Sequence, residues 1–391
     1  MNILCSHFGK CGGCQTQNLD YNIQLLEKEN FVREIFKEFN VEDFQKIIPS
    51  PDIWYYRNKM EFVFGKEKNG EIIAGLREKN KFYKVVDLKE CRISVDEVSE
   101  ILEIAKKWAK ENNLQPYDFF THKGKLRYIV VKHSKTYNEI MLNVIVTGTK
   151  YQIQNNEKEI FEDIVKRYNS LSSVSSIYLS INNNVSDNAI PQEIFHLYGK
   201  KYIKEDINGI EYLISPTIFL QTNPRCCKDL YRLILDEIIE GNTLDLYCGS
   251  GGITLQIAKY KPVGKIIGID ASKENIEVAF ENLKINSISL DIVEFINENV
   301  ENFLLKLWKS KFLSNLSNVI LDPPRPGLSK KVKSIINEIN ANKIIYVSCN
   351  PKTLYEDLKS FIKFYKIKKI IPIDMFPHTP HIEIICVLEH R

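Results

Sequence analysis

The sequence predicts an α/β chain: a C-terminal doubly wound, Rossmann-like sheet, preceded by a central α+β domain with an antiparallel sheet and by a cysteine-bearing N-terminal segment. Three observations predict it. The chain has 391 residues, enough for two or three domains of roughly 100–200 residues each. Beyond about Ser215, short β-branched apolar runs alternate with helical stretches, the pattern of a parallel sheet with helices on both faces. Cys5, Cys11 and Cys14 crowd the N-terminus. Hydrophobic residues at 44% and charged residues at 26% exclude a disordered, collagenous or coiled-coil chain. No apolar stretch approaches the roughly 20 residues that cross a bilayer. Met1–Cys14 lacks the basic-then-apolar order of a signal peptide. A cytoplasmic monomer with no membrane partner is expected.

Taken in order, residues 1–92 form the N-terminal region, with strands shared with the central domain. Nine cysteines without an export signal argue against a disulfide framework. Cys11-Gly12-Gly13-Cys14 lets two thiolates fold around one metal, with Cys5 as a third ligand and Cys91 as a candidate fourth; zinc and a [4Fe–4S] cluster both suit four sulfurs. Leu19–Phe39 has helical apolar spacing, and Met60–Phe64 and Phe82–Val86 read as strands. The central domain, 93–210, predicts a helix over Val95–Glu111, paired strands at Leu126–Val131 and Ile140–Thr147, a helix over Glu157–Asn169 and a strand at Ser176–Ile181; another, Tyr212–Ile214, falls at the boundary. A net charge of +3 does not by itself indicate a polyanionic partner. Thr121–Lys135, however, carries Lys123, Lys125, Arg127, Lys132 and Lys135 with no acid, which suits either a solvated strand face or contact with phosphates.

The remaining residues, 211–391, predict strands at Thr243–Tyr247, Lys265–Asp270, Asn318–Asp322, Lys343–Ser348, Ile370–Asp374 and Ile382–Leu388. The first ends in Asp245-Leu-Tyr247-Cys-Gly249-Ser-Gly251-Gly252, a glycine-rich turn that admits a nucleotide ligand. A dinucleotide fold wants glycine where Thr254 stands, and the acid ahead of the turn suits the amino-acid end of S-adenosylmethionine instead. Asp270 ends the next strand, where a carboxylate can accept from ribose hydroxyls. In this order the features favour a class I methyltransferase domain. Asp322-Pro-Pro-Arg325 has Arg where enzymes acting on base amino groups carry an aromatic, which points to a site built around charge. Cys349 ends a strand at the crevice edge, where a thiol can act as nucleophile. Glu383 lies in an apolar run, where an acid needs a partner, a job or an edge in solvent.

The cysteine triplet, Asp322-Pro-Pro-Arg325, Ser348-Cys349-Asn350-Pro351 and Phe376-Pro-His-Thr-Pro-His-Ile-Glu383 closely resemble the bacterial RNA uridine-5-methyltransferase family over nearly the whole chain. The resemblance implies Cys349 as nucleophile and Glu383 as general base, with Arg325 stabilising charge or orienting the base. It implies S-adenosylmethionine contacts at Gln221 and Asn223 and at Asp245, Tyr247, Gly249, Gly251, Asp270, Asn299 and Asp322. Cys91 matches the fourth ligand, with Cys5, Cys11 and Cys14, of the [4Fe–4S] cluster of cluster-bearing members. RNA contacts are expected at Arg57, Lys59, Lys123, Lys125, Arg127 and Tyr128. With the cysteines beginning at residue 5 and no RNA-binding barrel ahead of them, the expected substrate is 23S rRNA, with the T-loop of tRNA as the alternative.

The expected reaction follows from the weak nucleophilicity of uracil carbon 5. Thiolate addition to carbon 6 makes an enolate that is nucleophilic at carbon 5; methyl transfer, deprotonation by Glu383 and elimination complete it. The target base must leave its stack to be reached. A non-catalytic iron–sulfur protein that binds RNA or senses redox state is the rival of another class.

Overall fold

The computed structural model describes residues 4–310 and 316–391. It opens with α1 (Tyr21–Phe36), capped by Asp20, whose carboxylate accepts from the Asn22 N–H at 2.9 Å, and the short strand β1 (Val41–Phe44). Then come β2 (Lys59–Lys66), β3 (Ile72–Glu78), β4 (Lys81–Asp87), α2 (Val98–Glu111), β5 (Leu126–Ser134), β6 (Glu139–Val146), α3 (Lys158–Tyr168), β7 (Val174–Ile181) and β8 (Glu193–Gly199). These strands make one sheet in the order β4-β3-β2-β5-β6-β7-β8. It is antiparallel except for β6 and β7, which run parallel because α3 carries the chain across between them. Trp108 of α2 and Phe161 of α3 pack at 6.0 Å in its core.

A hairpin of β9 (Ile203–Ile207) and β10 (Ile210–Ile214) leads into the second half: α4 (Pro224–Glu237), β11 (Asn242–Leu246), α5 (Gly252–Tyr260), β12 (Ile266–Asp270), α6 (Lys273–Ile285), β13 (Val293–Asn297), α7 (Val300–Ser310), β14 (Leu316–Leu321), α8 (Lys330–Ile339), β15 (Lys343–Ser348), α9 (Pro351–Phe361), β16 (Tyr365–Ile373) and β17 (Glu383–His390). The sheet order is β1-β16-β17-β15-β14-β11-β12-β13.

Two departures from the sequence reading matter for the site. The expected parallel sheet is mixed, because β17 runs antiparallel to both β15 and β16. The β16–β17 connection is a loop without a helix; a parallel return would need a crossover of a dozen residues or more. The region 1–92 does not stay together either: β1 pairs with β16, and Val32 and Phe36 of α1 pack among α8 and α9. Four residues with two acids among them carry too little pattern to announce β1.

The N-terminal segment grips the β16–β17 loop. Lys28 Nζ bonds Asp374 Oδ1 at 2.6 Å and the Phe376 carbonyl at 3.0 Å, with both side chains buried. Tyr56 Oη donates to the Pro377 carbonyl at 3.1 Å, and the Gln15 and Thr16 N–H groups donate to that of His378. Trp54 stacks on the His378 ring at 3.9 Å. A buried pair such as Lys28–Asp374 is of the kind whose disruption, by removing one partner, costs about 3–5 kcal/mol. The loop that leads to Glu383 is therefore fixed from outside its own sheet.

Candidate active site

Beyond β11 the chain turns through Tyr247, held left-handed at φ 67° although it is not glycine, and through Gly251 at φ 86°, which caps α5. A Cβ on Gly252 would lie 2.5 Å from Tyr231 Oη, so any larger residue there would have to displace the Tyr231 ring. The turn opens a cavity bordered by Phe219, Gln221, Tyr231, Asp245, Tyr247 and Asp322. Asp245 is buried; its Oδ2 accepts from Thr254 Oγ1 at 2.6 Å, while Oδ1 has no hydrogen-bond partner among the described residues. Gln221 Nε2 lies 3.5 Å from Asp322 Oδ2. Burial pushes both carboxyls up to about 7, and the Asp245 charge adds to the effect on Asp322. An unpartnered carboxylate oxygen beside a second acid calls for a ligand with cationic and N–H donor groups. The amino-acid end and sulfonium of S-adenosylmethionine meet that demand.

The reactive groups gather at the carboxyl ends of β14 and β15 and the start of β17. Ser348 pairs with Ile384, so the next antiparallel register position sets Cys349 across from Glu383. Arg325, in the loop after β14, stands close enough to Cys349 for its guanidinium to act on the thiol. Burial pushes the Cys349 thiol up, the Glu383 charge adds to this, and the Arg325 guanidinium pulls it down. Glu383 is 3% exposed, and burial holds its carboxyl well above the usual range, with Asp322 adding and Arg325 opposing. A thiol, a buried carboxyl and one guanidinium thus share one corner of the crevice.

A groove of about 620 Å³ approaches this corner from the central sheet, bordered by Arg57, Lys59, Tyr128, Phe219, Thr379 and His381. Phe219, 57% exposed, borders both groove and cavity. Arg57 and Lys59 stand where an RNA contact was expected, although Lys59 is paired with Glu61 at 2.7 Å.

Other expected residues are placed differently. Arg127 is fully buried: loop 182–186 covers it, and its guanidinium donates to the carbonyls of Asn182 at 3.0 Å, Asn184 at 2.5 Å and Ser186 at 2.7 Å, so it is not an RNA contact. Tyr128 borders the groove but is tied to Asp187, and Lys125 is paired with Glu157 at 2.5 Å. Lys132 is buried, donating to the Ser215 and Ile218 carbonyls at 2.6 and 2.7 Å, which leaves Lys123 as the one exposed cation of the five in that run. Asn223 is buried as the cap of α4, accepting from the Cys226 N–H at 3.2 Å, and positions the Gln221 segment instead of lining the cavity. Asp270 accepts from the Gly249 N–H at 3.0 Å and so braces the turn. Asn299 is an exposed residue whose side chain accepts from Glu301 N–H at 3.0 Å.

Cys5, Cys11, Cys14 and Cys91 come together around one small cavity between the N-terminal segment and the β3–β4 hairpin. The Gly13 N–H donates to Cys11 Sγ at 3.3 Å. Burial raises all four thiols, Cys14 to about 11 and Cys91 to about 12. They border the cavity without closing to metal-ligand spacing: among the described residues, no group of three or more His, Cys, Asp or Glu side chains has that geometry.

Sequence reasoning missed Phe219, Tyr231, Thr254 as the partner of Asp245, and His381 as a groove residue. Tyr231 carries the signal of an ordinary apolar helix face. Phe219 is visible only as one letter of the Gln221 motif.

A profile of the tRNA (uracil-5-)-methyltransferase family matches residues 20–391. An uncharacterized RNA methyltransferase of Caldanaerobacter subterraneus is 35% identical, over 98% of this chain and 84% of its own. A tRNA (uracil(54)-C(5))-methyltransferase of Pyrococcus abyssi is 32% identical, over 98% of this chain and 85% of its own. The crystal structure of the Pyrococcus abyssi tRNA (uracil-54, C5)-methyltransferase in complex with S-adenosyl-L-homocysteine superposes with a TM-score of 0.76 at 30% identity, covering 97% of this chain and 86% of that one.

The contact between Arg325 and the thiol has a direct readout. Because Arg325 lowers the Cys349 pKa, Arg325→Ala raises it and shrinks the thiolate fraction at pH 8. Alkylation of Cys349 by iodoacetamide, followed by peptide mass spectrometry, is expected to slow by about threefold or more in the variant. An equal rate in both proteins would show that the guanidinium does not act on the sulfur.

Proposed function

We propose, since the chain belongs to the tRNA (uracil-5-)-methyltransferase family, that it is an S-adenosylmethionine-dependent enzyme that methylates carbon 5 of a uridine in RNA. The observation that carries this reading is the register that sets Cys349 across from Glu383, beside Arg325 and next to the acidic cavity. When bound, S-adenosylmethionine supplies the methyl group. Asp245, through its unpartnered Oδ1, and Asp322 hold its cationic end, with Gln221 and Tyr247 bordering it.

The protein's own groups do the rest. The Cys349 sulfur bonds to uracil carbon 6, and the carbon 5–carbon 6 double-bond electrons move onto the carbon 4 oxygen, making carbon 5 the nucleophile that takes the methyl. Arg325 stabilises first the thiolate and then the charge developed on the base. Glu383 removes the remaining carbon 5 proton; the double bond re-forms and the carbon–sulfur bond breaks, returning the thiolate. The burial that raises the Glu383 pKa also makes its ionised form a stronger base than a solvated carboxylate. Phe219, between groove and cavity, sits where a flipped base would pass.

The RNA is proposed to be 23S rRNA, on the family resemblance of the cysteine-bearing segment. A second reading, the T-loop uridine of tRNA, is favoured by the Pyrococcus relative named a tRNA (uracil(54)-C(5))-methyltransferase, which aligns with 98% of this chain. Incubation with methyl-labelled S-adenosylmethionine and RNA from cells lacking the enzyme, followed by separation into 23S, 16S and tRNA pools and nucleoside analysis, decides between them. Label in 5-methyluridine, abolished by Cys349→Ala, is expected. Label only in tRNA would overturn the rRNA reading, and label in another nucleoside would overturn both.

Cys5, Cys11, Cys14 and Cys91 are proposed to hold a [4Fe–4S] cluster; the four thiols around one cavity and the N–H donor to Cys11 support it. Its role would be to pin residues 5–14 to the end of β4. Protein purified without oxygen should carry about four irons and four sulfides per chain, both lost in Cys91→Ser. A fully folded, iron-free wild-type protein from such a preparation would rule the cluster out.

A further inference from the structure

Strand β4 starts as an exposed edge of the central sheet. Lys81, Phe82, Tyr83 and Lys84 are exposed, whereas Val86 is buried. Neighbouring side chains of a regular strand point to opposite faces, so Phe82 and Tyr83 should part. The β3–β4 register shifts between Arg77 and Glu78, however, and an irregularity of this kind re-aims side chains. Phe82 and Tyr83 meet edge-on at 5.7 Å, and both rings lie against Phe120, at 6.3 and 6.2 Å. Phe120 is held on a fixed turn, because the Asp118 carboxylate accepts from the N–H groups of Phe120 and Thr121, each at 2.8 Å. The three rings are 64, 50 and 69% exposed. A gathered, pre-set patch of large rings in water marks a binding surface more than a folding requirement.

Its surroundings say what binds. Lys79, Lys81, Lys84 and Lys123 are exposed around the rings, against two acids, Glu78, which pairs with Lys81 and lies 4.0 Å from Lys84, and Asp118. The rim therefore favours a polyanion. The patch is also continuous with the groove: the β3–β4 turn, Arg77 to Asn80, borders it, and Phe119, beside Phe120, packs under the Arg77 guanidinium at 4.7 Å.

We propose that Phe82, Tyr83 and Phe120 are a stacking platform for unpaired bases of the RNA substrate, on the strand that leaves the groove beyond the target uridine. The inference rests on the RNA-methyltransferase reading above. Exposed aromatic rings bind bases of any sequence through their faces, while surrounding lysines engage the backbone. The platform would supply affinity and direction without reading sequence.

The test uses a fluorescein-labelled single-stranded RNA of roughly 12 nucleotides and the full-length protein. The double variant Phe82→Ser/Phe120→Ser, both sites exposed, is expected to lose about tenfold or more in affinity. Phe82→Trp should keep it. With the methylated RNA pool, the double variant should raise KM while kcat at saturating RNA stays unchanged. Lys84→Gln should reduce the slope of log affinity against log salt by roughly one. Unchanged oligonucleotide affinity and KM in an active enzyme would overturn the platform alone. A wild-type dimer that the double variant dissociates, with RNA affinity unchanged, would assign the patch to a second copy of the chain and overturn it equally. Lost affinity in a protein that methylates no RNA would leave the platform standing and remove the uridine reading instead.

Discussion

The site depends on where one strand is inserted. Had β17 followed β16 through a helical crossover, it would have run parallel to β15 and delivered its carboxyl end, not its start, to the crevice. Antiparallel insertion between β15 and β16 brings the first residue of β17, Glu383, to the same edge as the residue that follows β15, Cys349. One thus enters the crevice at a strand's beginning and the other at a strand's end. Arg325 and Asp322 arrive beside them from the end of β14, which neighbours β15. Four chemically active side chains from three sequence-distant motifs meet without any of them lying on a long loop.

That geometry costs electrostatic energy, and the surrounding residues set how much. Asp245, Asp322 and Glu383 are all held above the ordinary carboxyl range, chiefly by burial. Arg325 is the cation that acts on both Cys349 and Glu383. The balance is one that a cationic ligand relieves, since positive charge beside Asp245 and Asp322 favours their ionised forms. The loop feeding Glu383 is held just as deliberately: Lys28, Tyr56 and the backbone of Gln15 and Thr16 all grip Asp374 to His378. His378 is itself held left-handed, at φ 65°, a conformation that a non-glycine residue keeps only when its surroundings impose it. The N-terminal segment and the loop that leads to Glu383 are therefore mechanically continuous.

Much of this was legible in the sequence, for identifiable reasons. The strand ends bearing Asp270, Asp322 and Cys349 follow apolar runs, the strongest local signal a buried parallel strand gives. Cys11 and Cys14, set on two glycines, border one cavity with Cys5 and with Cys91, which the family resemblance added to them. What could not be read was set by distant partners. Arg127 and Lys132 look like surface cations in a basic run, but a loop and a neighbouring segment supply carbonyls that bury them. Asn223 lies in a cofactor motif yet serves as a helix cap. β1 is a strand only because β16 offers it an edge, and the direction of β17 is invisible in its own residues.

The most direct test of the account is to stop the reaction after methyl transfer. Glu383→Gln, incubated with S-adenosylmethionine and the RNA pool that the wild-type protein methylates, should accumulate a protein–RNA adduct that survives denaturing electrophoresis and carries the methyl group, because the carbon 5 proton can no longer be removed. Adding Cys349→Ala to the same protein should abolish the adduct. A Glu383→Gln enzyme that turns over at the wild-type rate, or an adduct that persists without Cys349, would contradict the assignment of base and nucleophile.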